Sequence, residues 1–220
     1  MERPLIIGNM LSVVIPTRKR PKILQNLIDS LFDNKHGEIE VLVVKDLDDN
    51  SPSDTRIRLY SVPRMDNISY YTNYLAKRSR GSHILSLNDD TIVKTKDYDK
   101  IIKETLCDII DYGYPSLGTP NRYSWPIITQ QAYRNLGFIF HPKWKSHGAD
   151  VHLNKIFSGA GIGKSVPIEV VHLSHHYKLA PKDETAAHAQ EMSNWAELDT
   201  MELGFDDVEF FSQKVMVNKC

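Results

Sequence analysis

A short acidic segment follows directly on a largely apolar, strand-like run in the first half of the chain. The run at residues 84–87 leads into Asn88, Asp89 and Asp90. Burying carboxylates is unfavourable unless they bind a cation or accept hydrogen bonds. In open α/β sheets, ligands bind outside the carboxyl ends of the strands. The segment therefore fits a hard divalent ion that holds a phosphorylated substrate on oxygen ligands, or else a simple Asn-Asp-Asp turn between two strands.

Two earlier apolar runs also end in polar residues. Residues 11–15 and 39–44 are rich in Val, Ile and Leu, which predicts parallel strands buried on both faces. The helical pattern at residues 22–32 between them completes a strand–helix–strand unit. Parallel strands end at the same edge of a sheet, so the polar ends should point into one crevice. These three ends are at Thr17, Asp46 and Asp90.

The remaining pattern extends this α/β organisation, less regularly in the second half. A turn-rich loop is predicted at residues 115–123, and Asp150 is a candidate N-cap for a short helix. The other predicted helices are 68–79 (capped by Asp66 or Asn67), 97–112, 151–157, 184–203 and one beginning near 206, and the other predicted strands are 56–60, 127–128, 138–140 and 166–173.

Composition excludes several classes of protein. The chain has 220 residues, of which 41% are hydrophobic and 25% charged, as expected for a single globular domain. A net charge of −1 offers no basic field for nucleic acid or an anionic membrane. Two cysteines form no disulfide framework, and no apolar run approaches the roughly 18 residues of a membrane span. We therefore expect a cytoplasmic protein with no membrane span and no nucleic-acid partner.

The three segments at residues 11–18, 41–46 and 87–90 resemble, in order and spacing, the start of family 2-type glycosyltransferases with the GT-A fold. The resemblance extends over residues 10–178. It implies a Rossmann-like, mixed but mostly parallel central sheet flanked by helices, with further helices at the C-terminus. It also implies a metal-dependent, inverting transfer of a sugar from a nucleotide diphosphate, here a UDP-sugar, to a hydroxyl acceptor on a glycan or another molecule. Within one domain, residues 1–93 would bind the nucleotide, 94–180 would shape the acceptor side, and 181–220 would form the C-terminal helical segment.

The resemblance assigns residues to the nucleotide. Asp46 matches the acidic residue that accepts a hydrogen bond from the base, and an ionised carboxylate suits the imide N–H of uracil. A turn-capping role for Asp46, with Asp48 as the base acceptor, stays open. Asn73 sits where the family often has an asparagine that contacts the nucleotide. Tyr70, Tyr71 and Tyr74 are candidates for stacking or for the core, and the loop that lines the nucleoside pocket is matched by Pro16, Thr17 and Arg18.

The metal motif of the family is Asp-x-Asp, and this chain departs from it with Asn88 in the first position. The match implies that Asn88 and Asp89 contact the nucleotide and that Asp90 binds Mn²⁺ or Mg²⁺, which would bridge the diphosphate. A late histidine completes the metal shell in some members, for which His175 and His172 are the candidates. Neutral imidazole favours Mn²⁺ over Mg²⁺. A polar turn or a zinc site remains an alternative for the histidine cluster.

Inverting transfer needs a carboxylate that takes the proton from the acceptor hydroxyl. The family places it at the start of a short helix in the second half, often as Glu-Asp, which points to Asp150. Ala149 stands where the glutamate is expected, and an N-cap role for Asp150 is compatible with a catalytic one. Asp97 and Asp99 are alternative bases. Tyr123, Trp125 and Trp144 are candidates for stacking on an acceptor sugar or for packing.

Two other functions remain open. A nucleotidyltransferase would also combine such a sheet with a metal carboxylate, but the loop after the first strand, from Pro16 to Arg20, lacks the glycines of a phosphate-binding loop. A catalytically inactive nucleotide- or glycan-binding module is compatible with Asn88 and with the missing glutamate before Asp150. Product formation would distinguish such a module from an active transferase.

Overall fold

The computed structural model describes residues 7–51, 53–118 and 123–173. Within these ranges, strands and helices alternate through the first half of the chain. In chain order the elements are β1 (Ile7–Pro16), α1 (Pro21–Asn34), β2 (Ile39–Asp46), β3 (Arg58–Val62), α2 (Ile68–Ala76), β4 (Gly81–Ser86), β5 (Thr91–Val93), α3 (Tyr98–Thr105), β6 (Tyr112–Leu117), β7 (Ile127–Thr129), α4 (Gln130–Leu136), α5 (Ala149–Gly159) and β8 (Lys164–His172).

The strands form one mixed sheet of eight strands in the order β3-β2-β1-β4-β7-β6-β8-β5. Strands β3, β2, β1 and β4 are mutually parallel, β7 is antiparallel to both β4 and β6, and β8 runs parallel to β6. Strand β5 pairs antiparallel with β8 at the far edge. The predicted α/β class with a mostly parallel central sheet is confirmed. None of the helices in the described ranges is both long and apolar enough to cross a membrane.

Helices cover both faces of this sheet. Successive side chains of a strand point to opposite faces, and β1 shows this directly. Its Leu11 and Val13 pack with α1 and α3, whereas Val14 packs with α2, α4 and α5 on the other side. Burial on both faces explains why the central strands are almost continuously apolar. The acidic residues at the carboxyl ends of these strands, Asp46 in β2 and Asp89 and Asp90 after β4, mark the place of the candidate site.

Several predicted elements of the second half are wrong. Helix α3 ends at Thr105 rather than near residue 112. The buried Leu106 is its C-cap, and the carbonyl of Leu106 lies 2.8 Å from His83 Nε2. Strand β6 takes up residues 115–117 of the predicted loop and residue 112, which was predicted to be helical. Residues 138–140 form no strand, and α4 was not predicted. The glycine and proline of β6 are typical of turns, so the sequence did not predict a strand there, and pairing with β7 and β8 holds the strand in place. The predicted C-terminal helices lie outside the described residues.

Candidate functional site

The loop between β1 and α1 contacts the ends of both neighbouring strands. Its first residue continues the β1–β2 ladder, since Thr17 N–H donates to the carbonyl of Val44 at 2.9 Å. Lys19 then adopts a left-handed backbone (φ 53°), and its N–H donates to Asp49 at 2.6 Å. The turn at Lys19 separates two arginines, so that Arg18 contacts the end of β2 and Arg20 contacts the segment after β4.

At the end of β2, Asp46 is almost completely buried and is bound on both oxygens. Arg18 Nη1 donates to Oδ2 at 2.8 Å, and the Tyr71 hydroxyl on α2 donates to Oδ1 at 2.5 Å. Burial, followed by the hydrogen bond to Asp46, raises the pKa of Tyr71, so the phenol stays protonated and donating. Each carboxylate oxygen has two lone pairs, so Asp46 retains capacity to accept from a ligand. Tyr71 thus holds Asp46 in place, a role that the sequence did not indicate.

Replacing Tyr71 by Phe is expected to lower the free energy of unfolding by about 1.5–3 kcal/mol, the usual cost of losing a hydrogen bond to a charged group. The variant also removes the acceptor of the Met65 N–H, 2.8 Å away. Tyr70→Phe on the same helix is the matched control, because the Tyr70 ring is exposed, and it should change stability by less than about 0.5 kcal/mol. Denaturant unfolding of both variants measures the difference. Equal effects would contradict this role for Tyr71.

After β4, the three residues Asn88, Asp89 and Asp90 have three different environments. Asn88 is exposed, whereas Asp89 is 5% exposed. Asp89 Oδ2 accepts from the Thr17 hydroxyl at 2.7 Å, and Oδ1 accepts from Arg20 at 3.1 Å. Burial raises the pKa of Asp89 to about 6, although the nearby Arg20 charge opposes the rise. Asp89 therefore faces the protein interior.

Asp90 lies beside His172 because of the register between β5 and β8, which sets Thr91 opposite His172. His172 Nε2 is 3.1 Å from Asp90 Oδ1, and the Leu173 N–H donates to the Asp90 carbonyl at 2.7 Å. Burial acts to raise the pKa of Asp90, but the hydrogen bond from His172 and the charges of His172 and Arg20 outweigh it, and the pKa is lowered. The side chains of Asp90 and His172 are 18% and 28% exposed, so solvent reaches both.

These two side chains fit part of a divalent metal shell. A carboxylate oxygen and an imidazole nitrogen already lie within 3.1 Å of each other, a donor set that suits Mn²⁺. In the ranges that the structure describes, no three His, Cys, Asp or Glu side chains are grouped to hold a metal by themselves. An ion here would therefore take its remaining ligands from a phosphorylated substrate and water, as Mg²⁺ sites often do. His175 lies outside the described residues.

Asp150 reaches the same region from the opposite half of the chain. Helix α5 begins at Ala149, and its N-cap is Gly148 (φ 93°), so the predicted N-cap role of Asp150 is wrong and the residue lies in the first turn. Val151 N–H donates to Asp150 Oδ1 at 2.9 Å, and the Ser124 hydroxyl lies 3.4 Å from Oδ2. Burial raises the pKa of Asp150, although these hydrogen bonds oppose the rise.

Trp125 connects Asp150 to the acidic edge. It follows Ser124 in the chain and packs edge-on against His172 with ring centroids 5.7 Å apart. Its backbone is left-handed (φ 61°), which is uncommon for a bulky residue and occurs preferentially at functional sites. The contacts from Asp150 through Ser124, Trp125 and His172 therefore lead to Asp90.

Comparison with known protein families shows which family the chain belongs to. The model of glycosyl transferase family 2 matches residues 12–136, which is more than half of the 220 residues. The chain belongs to this family. The match includes the ends of β1, β2 and β4, with Thr17, Asp46 and Asp90. No curated protein matches the sequence.

Solved structures of glycosyltransferases share the fold. The mannosyltransferase PcManGT from Pyrobaculum calidifontis, in complex with GDP-Man and Mn²⁺, superposes with a TM-score of 0.60 at 12% identity, covering 94% of this chain and 74% of that one. S. aureus TarS 1-349 in complex with UDP gives a TM-score of 0.58 at 16% identity, with 93% and 75% covered. Another S. aureus TarS structure gives a TM-score of 0.55 at 16% identity. The match covers 89% of this chain but only 44% of that longer one. These likenesses establish a GT-A fold.

In this family 2 glycosyltransferase, three residues that the sequence offered as site candidates, Asn73, Asp99 and Trp144, have structural roles instead. Asn73 binds the backbone of the segment after α4, because its Oδ1 accepts from the N–H of Ile139 at 2.8 Å and its Nδ2 donates to the carbonyl of Phe140 at 2.6 Å. Asp99 is fully buried and accepts from the N–H groups of His36 and Gly37 at 2.6 and 3.0 Å. Trp144 is buried as well. Asp99 therefore holds the α1–β2 connection and is inaccessible to an acceptor.

Proposed function

We propose that this chain is a metal-dependent, inverting glycosyltransferase that moves a sugar from a UDP-sugar to a hydroxyl acceptor. The observation that carries the proposal is the gathering of three sets of groups at one edge of the sheet. These are the Arg18–Asp46 pair, the Asp90–His172 pair and, through Ser124 and Trp125, Asp150. Membership of family 2 supports the reaction class, and the family is matched across the nucleotide side.

The Arg18–Asp46 pair would recognise the base. Asp46 presents an acceptor, and the guanidinium of Arg18 presents donors immediately beside it, 2.8 Å away. Uracil offers the complementary edge, with an imide N–H flanked by carbonyl acceptors. Pro16 and Thr17 would line the nucleoside pocket, and the exposed amide of Asn88 would face the ribose. TarS 1-349 was solved with UDP, which is consistent with the choice of donor.

Asp90 and His172 would hold the divalent ion, with His175 as a further candidate. When bound, Mn²⁺ or Mg²⁺ would neutralise the charge that grows on the departing diphosphate. The PcManGT complex contains Mn²⁺. Asp90 is suited to this role because its pKa is lowered and it is accessible to solvent, so the carboxylate is ionised and can be reached.

Asp150 would act as the general base. Its carboxylate would accept the proton of the acceptor hydroxyl as that oxygen bonds to the anomeric carbon, while the bond from this carbon to the phosphate oxygen breaks and the nucleoside diphosphate leaves. Ser124 would orient the carboxylate. Residues 94–180 would form the acceptor side, where the partly exposed Tyr123 offers an aromatic face for a sugar, whereas Trp125 is buried like Trp144.

Calorimetric titration of UDP, GDP and dTDP, each with and without Mn²⁺, tests the nucleotide and metal assignments together. We expect UDP to bind more tightly than GDP, because Asp46 selects the imide edge, which dTDP shares with UDP. The ion should strengthen the binding of UDP, because Asp90 binds the diphosphate through the metal. Absence of binding by all three nucleotides would contradict the proposal. Tighter binding of GDP than of UDP would contradict the donor assignment alone.

A non-catalytic nucleotide-binding module is the second candidate. It is supported by the amide at position 88 and by the absence, within the described residues, of a three-ligand metal group. Release of UDP from a panel of UDP-sugars distinguishes the two functions. A transferase should hydrolyse its donor slowly with water as the acceptor, whereas a module should bind without releasing UDP.

A further inference from the structure

A positive charge of the chain itself lies between the two adjacent carboxylates after β4. Arg20 Nη1 is 3.1 Å from Asp89 Oδ1 and 3.5 Å from Asp90 Oδ2. The Arg20 side chain is only 11% exposed, and a guanidinium stays charged at any pH that a protein tolerates. The carboxylates of Asp89 and Asp90 therefore share one permanently charged guanidinium.

This arrangement opposes a divalent ion that arrives alone. Both oxygens of Asp90 already have partners, His172 on Oδ1 and Arg20 on Oδ2. An ion bound to Asp90 and His172 would also lie close to the Arg20 charge, in a partly buried place where solvent screens repulsion weakly. Arg20 thus neutralises Asp89 and Asp90 and competes with a metal ion for Asp90.

A diphosphate changes this balance. Its oxygens carry negative charge and match the planar fork of donors that a guanidinium presents, an arrangement that favours arginine at phosphate sites. Asp89 keeps its hydrogen bond from Thr17 at 2.7 Å if Arg20 moves, so the buried carboxylate is not left without a donor. The divalent ion on the neighbouring Asp90 would replace the positive charge that Asp89 loses when Arg20 turns away, so Arg20 can exchange one anionic partner for another.

We propose that Arg20 couples binding of the divalent ion to binding of the diphosphate. In the absence of ligand, Arg20 neutralises Asp89 and Asp90. When a nucleoside diphosphate binds, Arg20 turns to the phosphate oxygens and leaves Asp90 free to bind the ion. The inference rests on the proposed function. Coupling of this kind is reciprocal, so the ion must tighten the nucleotide by the same factor as the nucleotide tightens the ion.

The test is titration of Mn²⁺ into the whole chain, with and without saturating UDP, for wild type and Arg20→Gln. In the wild type, UDP should tighten Mn²⁺ binding by at least roughly 10-fold, within the usual range of such couplings. In Arg20→Gln, Mn²⁺ alone should bind about 10-fold tighter than to wild type, and the coupling factor should be smaller than in wild type, because only the direct coordination of the ion by the diphosphate then remains. Arg80→Gln, an exposed arginine before β4, is the control and should behave as wild type.

Arg20→Lys keeps the charge and guards against misfolding of the glutamine variant. It should bind Mn²⁺ alone as weakly as wild type does. Unchanged coupling in a folded Arg20→Gln, or weaker binding of Mn²⁺ alone to that variant, would contradict the inference while leaving the proposed function intact. Failure of the wild type to bind any nucleoside diphosphate would contradict both.

Discussion

Replacing Asp150 by Asn is expected to lower turnover roughly 10²–10⁴-fold, the usual contribution of general acid–base catalysis, while donor binding changes little. The amide keeps the shape of the side chain and can still contact Ser124, but it cannot accept the proton of the acceptor hydroxyl. Asp150 lies in the first turn of α5, in the half of the chain opposite the proposed nucleotide residues. Release of UDP from the preferred donor measures turnover, and calorimetry with the same donor measures binding.

The pH profile gives a second signature of Asp150. Burial raises its pKa, and the base must be ionised to act, so activity should rise with pH through a value above the ordinary range of aspartate. A carboxyl pKa that is raised by folding costs stability once the pH exceeds the unfolded value. Asp150→Asn should therefore be at least as stable as wild type at neutral pH, which separates lost chemistry from lost fold.

Asp97→Asn is the matched control for Asp150→Asn, because it makes the same chemical change at the alternative base. Asp97 has a largely exposed side chain and a left-handed backbone (φ 57°) that asparagine also tolerates. It should turn over normally. Near-normal turnover of Asp150→Asn, or a comparable loss in Asp97→Asn, would contradict the assignment of the base.

The nucleotide half of the fold could be predicted because its strands are buried on both faces. Burial on both faces makes the segments 11–15, 39–44 and 84–87 largely apolar, so their ends are visible in the sequence where runs of polar residues begin. Parallel pairing then requires these ends to meet at one edge. The contact between Thr17 and Asp89, 72 residues apart, follows from this geometry. The residues that end the strands were thus predictable as a group.

What could not be predicted depends on side-chain geometry and on short strands. Arg18, Lys19 and Arg20 form one basic run in the sequence, and only the left-handed turn at Lys19 directs the two arginines to different carboxylates. The hydroxyl of Tyr71 could equally have belonged to the core. Strand β5 has three residues, too few for a periodic signal, yet its pairing with β8 brings His172 to Asp90.

Replacing Asp90 by Ala is expected to abolish the Mn²⁺-dependent part of UDP binding, a loss of at least about 100-fold, the upper end of what even outer-shell residues of metal sites contribute. Asp89 cannot substitute, because it is buried and bound to Thr17 and Arg20. The variant would leave His172 as the one described ligand and would remove one of the two carboxylates that Arg20 contacts in the described residues. Metal-independent UDP binding should persist, since Arg18 and Asp46 are untouched.

Calorimetry with and without Mn²⁺ separates these two parts of the affinity. Asp108→Ala is the control, because Asp108 is also acidic but is 71% exposed and pairs with Lys164 at the start of β8, at the opposite end of that strand from His172. The backbone carbonyl of residue 90 would still accept from the Leu173 N–H, so the end of β8 should stay in place. A UDP–Mn²⁺ affinity equal to that of wild type would remove Asp90 from the metal site. Loss of both metal-dependent and metal-independent binding would instead assign Asp90 a structural role, in which it holds Arg20 and His172 in position.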